Sequence, residues 1–145
     1  MAQKLEALDL WRTVLVTSVR QAGPDLSSRQ LALLLTVYLT APPHTVRGLA
    51  ATLNISKPAI SRALDRLGRL GFIRRKRDEA DRRNVLVQRT VKGSVFLTEF
   101  AQLVLEARRG IGAAMAPDPA LESASTAREA ADAPKRALAD EVAGP

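Results

Sequence analysis

The sequence predicts an α+β fold that is mostly helical, and three observations carry that expectation. Apolar residues recur at helical spacing in two long stretches, Lys4–Gln21 and Val91–Arg109, and in shorter stretches between them. A further helical stretch, Ser56–Leu70, is bracketed by a serine cap and the glycine stop Gly71. Two strand-like runs, Phe72–Arg77 and Val85–Arg89, flank a short charged loop, Asp78–Asn84. A helix that feeds a basic β-hairpin has the shape of a winged helix-turn-helix.

The first helix, Lys4–Gln21, carries Leu5, Leu8, Trp11, Leu15 and Val19 on one stripe, widened by Leu10 and Val14, and Gly23-Pro24 ends it. So wide a stripe needs a partner surface, from the same chain or from a second copy. Leu26-Ser27-Ser28 opens the second helix, with Ser27 or Ser28 as cap. Leu31, Leu34, Leu35, Tyr38 and Leu39 are its expected buried face, and Ala41-Pro42-Pro43 stops it. His44, the only histidine, reads as a loop residue, because no cysteine or second histidine stands by to complete a metal site. Thr45 caps a third helix, Val46–Leu53, with Leu49, Ala50 and Leu53 inward.

Asn54-Ile55 is a tight turn, since Asn tolerates a left-handed backbone. Ser56 caps the fourth helix, and Pro58 sits in its first turn, where a missing N–H breaks no hydrogen bond. Ile60, Leu64 and Leu67 point inward with Ala63 and Leu70 at the edge; Pro58, Arg62, Asp65, Arg66 and Arg69 lie opposite. Thr90 caps the fifth helix, whose apolar face holds Phe96, Phe100, Leu103, Val104, Ala107 and Ile111. After Gly112 the composition shifts: residues 117–145 hold nine Ala and four Pro with few large apolar side chains. Such a stretch cannot offset its ordering entropy by burial. The expected organisation is one domain, residues 1–112, with a disordered tail over 113–145.

Composition narrows the function classes. The 145 residues suffice for one modest core, and with 46% apolar but only 3% aromatic residues that core is aliphatic. The absence of cysteine excludes disulfides, thiolate zinc sites and thiol redox sensing. No positive segment precedes an apolar run at the start, and the longest apolar run, Leu31–Leu39, is broken by Thr36. The expectation is a cytoplasmic, nucleoid-associated protein with no membrane contact. Phosphate-cradling glycine loops, paired catalytic carboxylates and nucleophile–base sets are absent, so neither an enzyme nor a cofactor is expected.

Charge is concentrated. Residues 56–92 hold 12 Lys or Arg against 4 Asp or Glu, a local excess of +8 in a chain whose net charge is +7. Such a surface suits a polyanion, most often nucleic acid, although basic residues also serve solubility alone. In the fourth helix, Ser56, Lys57, Pro58, Ala59, Ser61 and Arg62 occupy the half that would face base edges in a major groove. Arg66 and Arg69, further along, are placed for phosphates. In the hairpin, Arg74-Arg75-Lys76-Arg77 and Arg82-Arg83 supply cations dense enough for a phosphate ridge or a narrow minor groove. A carboxylate repels phosphate, so Asp81 is read as holding a nearby arginine such as Arg83.

These residues resemble the MarR family of winged-helix transcriptional regulators. The resemblance rests on LAATLNISKPAISRALDRLGRLGFIRR, Leu49–Arg75, and on DRRNVLVQRTVKG, Asp81–Gly93. It covers about Leu26 to Leu105 in order and type of element. It implies a homodimer built by the first and last helices, with Leu5, Leu8, Trp11, Leu15, Phe96, Phe100, Leu103, Val104 and Ala107 at the interface. It implies double-stranded DNA as partner, with Arg75, Lys76, Arg77, Arg82 and Arg83 in the wing and Asp81 supporting Arg83 at the minor groove. It also implies a small aromatic or anionic effector, for which Trp11, Tyr38, Phe96 and Phe100 are the few aromatic lining candidates; each reads first as core or interface. Two features depart from the family. Arg89 stands where an apolar residue is usual, and either extends the basic surface or weakens packing of the return strand. The helical signal fades near Ile111, so the expected dimer is small and the first helix carries more of it.

The function expected is sequence-specific transcriptional regulation, as a repressor, by a homodimer on a pseudo-palindromic operator. Two alternatives share the fold: a sequence-tolerant architectural DNA-binding protein, and an interaction module that docks an acidic protein through the charged hairpin.

Overall fold

The structure, a computed structural model, describes residues 1–110 together with residues 120, 123, 124 and 127. Over these, five helices and a small antiparallel sheet follow in the order α1 (Ala2–Arg20), α2 (Ser28–Leu39), β1 (His44–Thr45), α3 (Val46–Leu53), α4 (Lys57–Arg69), β2 (Ile73–Arg77), β3 (Val85–Arg89) and α5 (Val91–Gly110). This is a mostly helical winged helix-turn-helix. The expectations for Ile111 and for the tail over 113–145 lie outside the described residues.

Local chemistry sets the boundaries. Ser27 caps α2 in a reciprocal box: its Oγ accepts from the Gln30 N–H at 3.1 Å, and Gln30 Oε1 accepts from the Ser27 N–H at 3.0 Å. Thr45 Oγ1 accepts from Gly48 N–H, and Ser56 Oγ from Ala59 N–H at 3.3 Å. Asn54 ends α3 at φ 52°, and Gly71 follows α4 at φ 76°, both in the left-handed region.

The main core forms where α2, α3, α4 and the sheet meet. Leu33, Leu34, Ile60, Leu64 and Leu67 are fully buried there, joined by Val37, Leu49, Phe72, Ile73 and Val87. Each such side chain contributes roughly 1.5–3 kcal/mol relative to exposure. The face of α2 differs from expectation: Leu33 and Val37 are buried, whereas Leu39 is 76% exposed. The run LALLLTVYL offers apolar residues on nearly every side, so only the packing of α4 against it selects the inward stripe.

The sheet has a third strand that the expectation lacked. His44 is not a loop residue; it pairs with Val87, and Thr45 with Leu86, so the sheet order is β1-β3-β2. The β2–β3 register runs from Ile73 opposite Arg89 to Arg77 opposite Val85. Arg89 closes α2 rather than weakening the return strand. Its Nε donates to the Val37 carbonyl at 2.9 Å and its Nη2 to the Thr40 carbonyl at 2.8 Å, while the guanidinium lies 5.9 Å from the Tyr38 ring centroid. These carbonyls lie at the C-terminal end of α2, where intrahelical donors run out.

Helix α5 is anchored beside the sheet. Thr90 Oγ1 accepts from Gly93 N–H at 3.0 Å and donates to the Gly71 carbonyl at 2.7 Å. The Tyr38 hydroxyl accepts from Thr90 N–H at 2.8 Å, and its own proton reaches the Phe72 carbonyl at 2.7 Å. One phenol thus joins α2, the start of the hairpin and the start of α5. Further along, α5 packs on α1 through a second cluster, Val14, Leu103 and Ala107, flanked by Leu10, Phe100 and Val104.

Candidate nucleic-acid interface

The outer face of α4 presents Ser56, Lys57, Pro58 and Arg62 to solvent, with Ser61 half-buried. Ser56 uses an oxygen lone pair as cap and keeps its hydroxyl proton for another acceptor. Ala59 is the exception among the expected reading residues. It is 8% exposed, because the first turn of α4 turns that side toward the interior. Arg69 is exposed, while Arg66 is half-buried and its Nη2 donates to the Asp25 carbonyl at 3.3 Å. That bond leans Arg66 toward the loop before α2.

The wing is joined to this face by one ion pair. Arg75 Nη2 donates to Asp65 Oδ1, so the guanidinium expected to meet DNA is already engaged by a carboxylate of α4. Both groups are partly solvated, and the pair is worth little as stability; its consequence is a defined angle between hairpin and helix. Arg74, Lys76, Arg77 and Arg82 are exposed, and their side chains have no hydrogen-bond or ion-pair partner among the described residues.

At the hairpin tip, Asp81 Oδ1 accepts from the Arg83 N–H at 3.1 Å and from Arg83 Nε at 3.3 Å. The loop is closed by Asp78 N–H to the Asn84 carbonyl at 3.1 Å and Asn84 N–H to the Asp81 carbonyl at 2.9 Å. Asp78 Oδ1 also accepts from Ala80 N–H at 3.0 Å. The Arg83 side chain is 85% exposed, so a single carboxylate restrains a cation that otherwise projects into solvent. Asp65, Asp78 and Asn84 are the positioning residues that sequence reasoning missed. The signal was present for Asp65, a lone carboxylate among Arg62, Arg66 and Arg69 on one helix face.

The residues expected at a dimer interface divide. Leu8, Trp11 and Leu15 are exposed on α1, Trp11 by 52%, and Leu5 is half-buried. Leu103 and Ala107 are instead buried against Val14 of the same chain, with Phe100 and Val104 beside them. Phe96 stacks on Phe72 with ring centroids 4.4 Å apart, half-buried against the main core. The stripe of α5 is therefore largely consumed within the chain, because α1 folds back onto it. Among the lining candidates for an effector, Phe96 and Phe100 are packing residues, Tyr38 is a hydrogen-bond node and Trp11 faces solvent.

Among the described residues there is no cluster of His, Asp or Glu able to hold a metal, and no helix is long and apolar enough to cross a membrane. The surface offers many N–H donors and few acceptors, an arrangement that binds anions. A capped helix pinned to a charged hairpin, set on a helical scaffold, defines a winged helix-turn-helix protein. Residues 26–85 match the MarR family model.

Solved structures of similar fold include apo MarR from E. coli, 21% identical, with 90% of this chain and 91% of that one covered at a TM-score of 0.56. A MepR variant from a multidrug resistant S. aureus clinical isolate is 16% identical, covering 88% and 91% at 0.66. MepR of S. aureus in complex with DNA is 18% identical, covering 89% and 90% at 0.56. At these identities the likeness is one of fold. Among curated proteins none matches the chain.

Proposed function

We propose that this protein is a sequence-specific, double-stranded DNA-binding transcriptional regulator that acts as a homodimer, in the sense of a repressor. The observation that carries the reading is the joined surface of α4 and the hairpin. Arg62 and Arg69 stand on the helix, unpartnered cations line the strands, and Arg83 projects from the tip under the hold of Asp81. The MarR-family match over residues 26–85 and a neighbour of the same fold in complex with DNA support it.

In this reading α4 enters the major groove. Ser56, Lys57, Ser61 and Arg62 meet base edges, Arg69 and the strand cations neutralise phosphate, and Arg83 enters the minor groove. The exposed apolar face of α1 supplies the dimer contact, so that two copies read half-sites about one helical turn, roughly 10 bp, apart on a pseudo-palindrome. A small aromatic or anionic effector modulates binding.

The test is selection of genomic fragments by the purified protein at fixed salt, followed by competition with bulk DNA. A recovered pseudo-palindrome that outcompetes bulk DNA supports the reading. Equal competition indicates an architectural protein, and no retention at physiological salt removes DNA as the partner.

A further inference from the structure

Helix α4 carries one carboxylate, Asp65, among Lys57, Arg62, Arg66 and Arg69. On a surface that meets phosphate such a group repels the partner, and the DNA reading gives it no contact to make. Arg62 precedes Asp65 by one helical turn and Arg69 follows it by one, at spacings that allow a pair along the helix. Among the described residues neither pairs with it. The carboxylate instead reaches Arg75 of β2, ten residues on in sequence.

Strand geometry decides which cation the carboxylate takes. Ile73 and Val87 are buried on the core side of the sheet, and Arg75 shares that side because it pairs with Val87 and alternates with Arg74. Arg74 and Lys76 belong to the opposite side. Arg75 therefore lies on the side that α4 covers, next to Asp65. The pair leaves the Arg75 side chain 38% and the Asp65 side chain 47% exposed, so the guanidinium is within reach of a polyanion and yet engaged. The side chains of Arg74, Lys76 and Arg77 have no protein partner among the described residues. One strand thus presents three available cations and holds back a fourth.

We propose that Asp65 is a specificity-determining residue that acts through Arg75: it withholds this cation from DNA phosphate and so holds down binding to non-operator DNA. The proposal rests on the DNA-binding reading. Phosphate attracts cations without regard to sequence, so every free cation strengthens the bulk complex. A cation tied to the reading helix adds nothing to that complex. The tie also fixes the hairpin against α4 and keeps Arg83 in step with Ser56–Arg62, and only the operator complex uses that fixed angle. Asp65 therefore weakens the competitor more than the target. Discrimination comes here from a withheld attraction rather than from a further base contact.

The experiment measures binding of the full chain to poly(dI-dC) and to the operator fragment recovered by selection, each over a range of salt. Asp65→Asn should free Arg75 for one more phosphate in each bound subunit. Per subunit, that steepens the slope of log K against log salt by about 0.9 and strengthens poly(dI-dC) binding about eightfold at about 0.1 M salt. Operator affinity should change by less than about threefold, so the ratio of the two falls. Asp65→Ala, which leaves Arg75 no acceptor, should behave alike. Arg75→Gln should keep the parent's slope, and Asp65→Asn combined with Arg75→Gln should lose the gain. Thermal melts should coincide throughout, because a partly solvated pair adds little stability. An unchanged slope in Asp65→Asn overturns the proposal. So does a gain that persists in the double variant, equal strengthening on both DNAs, or weaker binding to both, which would make Asp65 a structural pin alone. Selection that yields no operator also removes it, since nothing is left to discriminate. The two readings fail differently: a parent that binds neither DNA at any salt sinks the regulator and this proposal together, whereas a parent that binds both with Asp65→Asn unaltered loses only the proposal.

Discussion

A Cβ at position 93 would overlap the Tyr38 hydroxyl and the Phe72 carbonyl oxygen, both held in the node that starts α5. Neither can yield easily, since one is backbone and the other carries the hydrogen bonds to Thr90 and Phe72. Gly93→Ala should therefore destabilise the fold by about 2 kcal/mol, the scale of overpacking a tight contact. A thermal melt should show a drop of roughly 8 °C or more for a domain of this size. At the tip of the hairpin the residue at stake is Arg83, placed at the minor groove in the proposed function. Arg83→Ala should lower operator affinity by more than about 1 kcal/mol while sedimentation shows the assembly unchanged. Unaltered affinity would take the wing tip out of the mechanism. Single residues also mark where sequence reading reached its limit. Ser56, Asn54, Gly71 and Thr90 were legible because a cap or a left-handed turn is decided within a few residues. The burial of Ala59 was not, because how far a small side chain is covered depends on how the first turn of α4 packs.

At the scale of elements, β3 and α2 end in each other's company. Arg89→Gln removes the fork that satisfies the Val37 and Thr40 carbonyls and should cost about 1–2 kcal/mol, seen as a lower denaturation midpoint with an unchanged slope. A midpoint equal to that of the parent would show that solvent serves those carbonyls as well as the arginine does. The element boundaries were legible almost throughout, and both long strands emerged with their expected loop, because periodicity and punctuation are local signals. Strand β1 was not, since two residues carry no period and exist as a strand only because β3 lies alongside. The division of the α5 stripe was equally hidden: Leu103 and Ala107 look like any interface residues until α1 is seen to fold back on them.

At the scale of the molecule, basic and apolar surfaces occupy different parts of the fold. The largest group of uncovered apolar residues lies on α1, where Leu8, Trp11, Leu15, Val16 and Val19 remain exposed after Val14 has met α5. In the homodimer proposed above, this stripe is the contact surface. Trp11→Glu should leave the melting profile of the winged-helix core intact yet shift the protein toward monomer in sedimentation, and operator affinity should fall with it. A dimer that survives the substitution would place the contact elsewhere.

The closure of α2 by an arginine from the return strand bears on modularity. A hairpin of this type invites exchange between homologues as a unit that carries its own specificity. Here exchanging residues 73–89 alone carries the cost of losing Arg89, because the last of them completes a helix that ended at Leu39. A chimaera that imports a foreign hairpin with an apolar residue at position 89 inherits an unfinished helix end beside Thr40. Grafts that move Val37–Thr40 together with the hairpin keep both the donor and its acceptors. The transplantable unit is therefore discontinuous in the chain, and domain-shuffling experiments should draw its borders by hydrogen-bond partnership rather than by loop position.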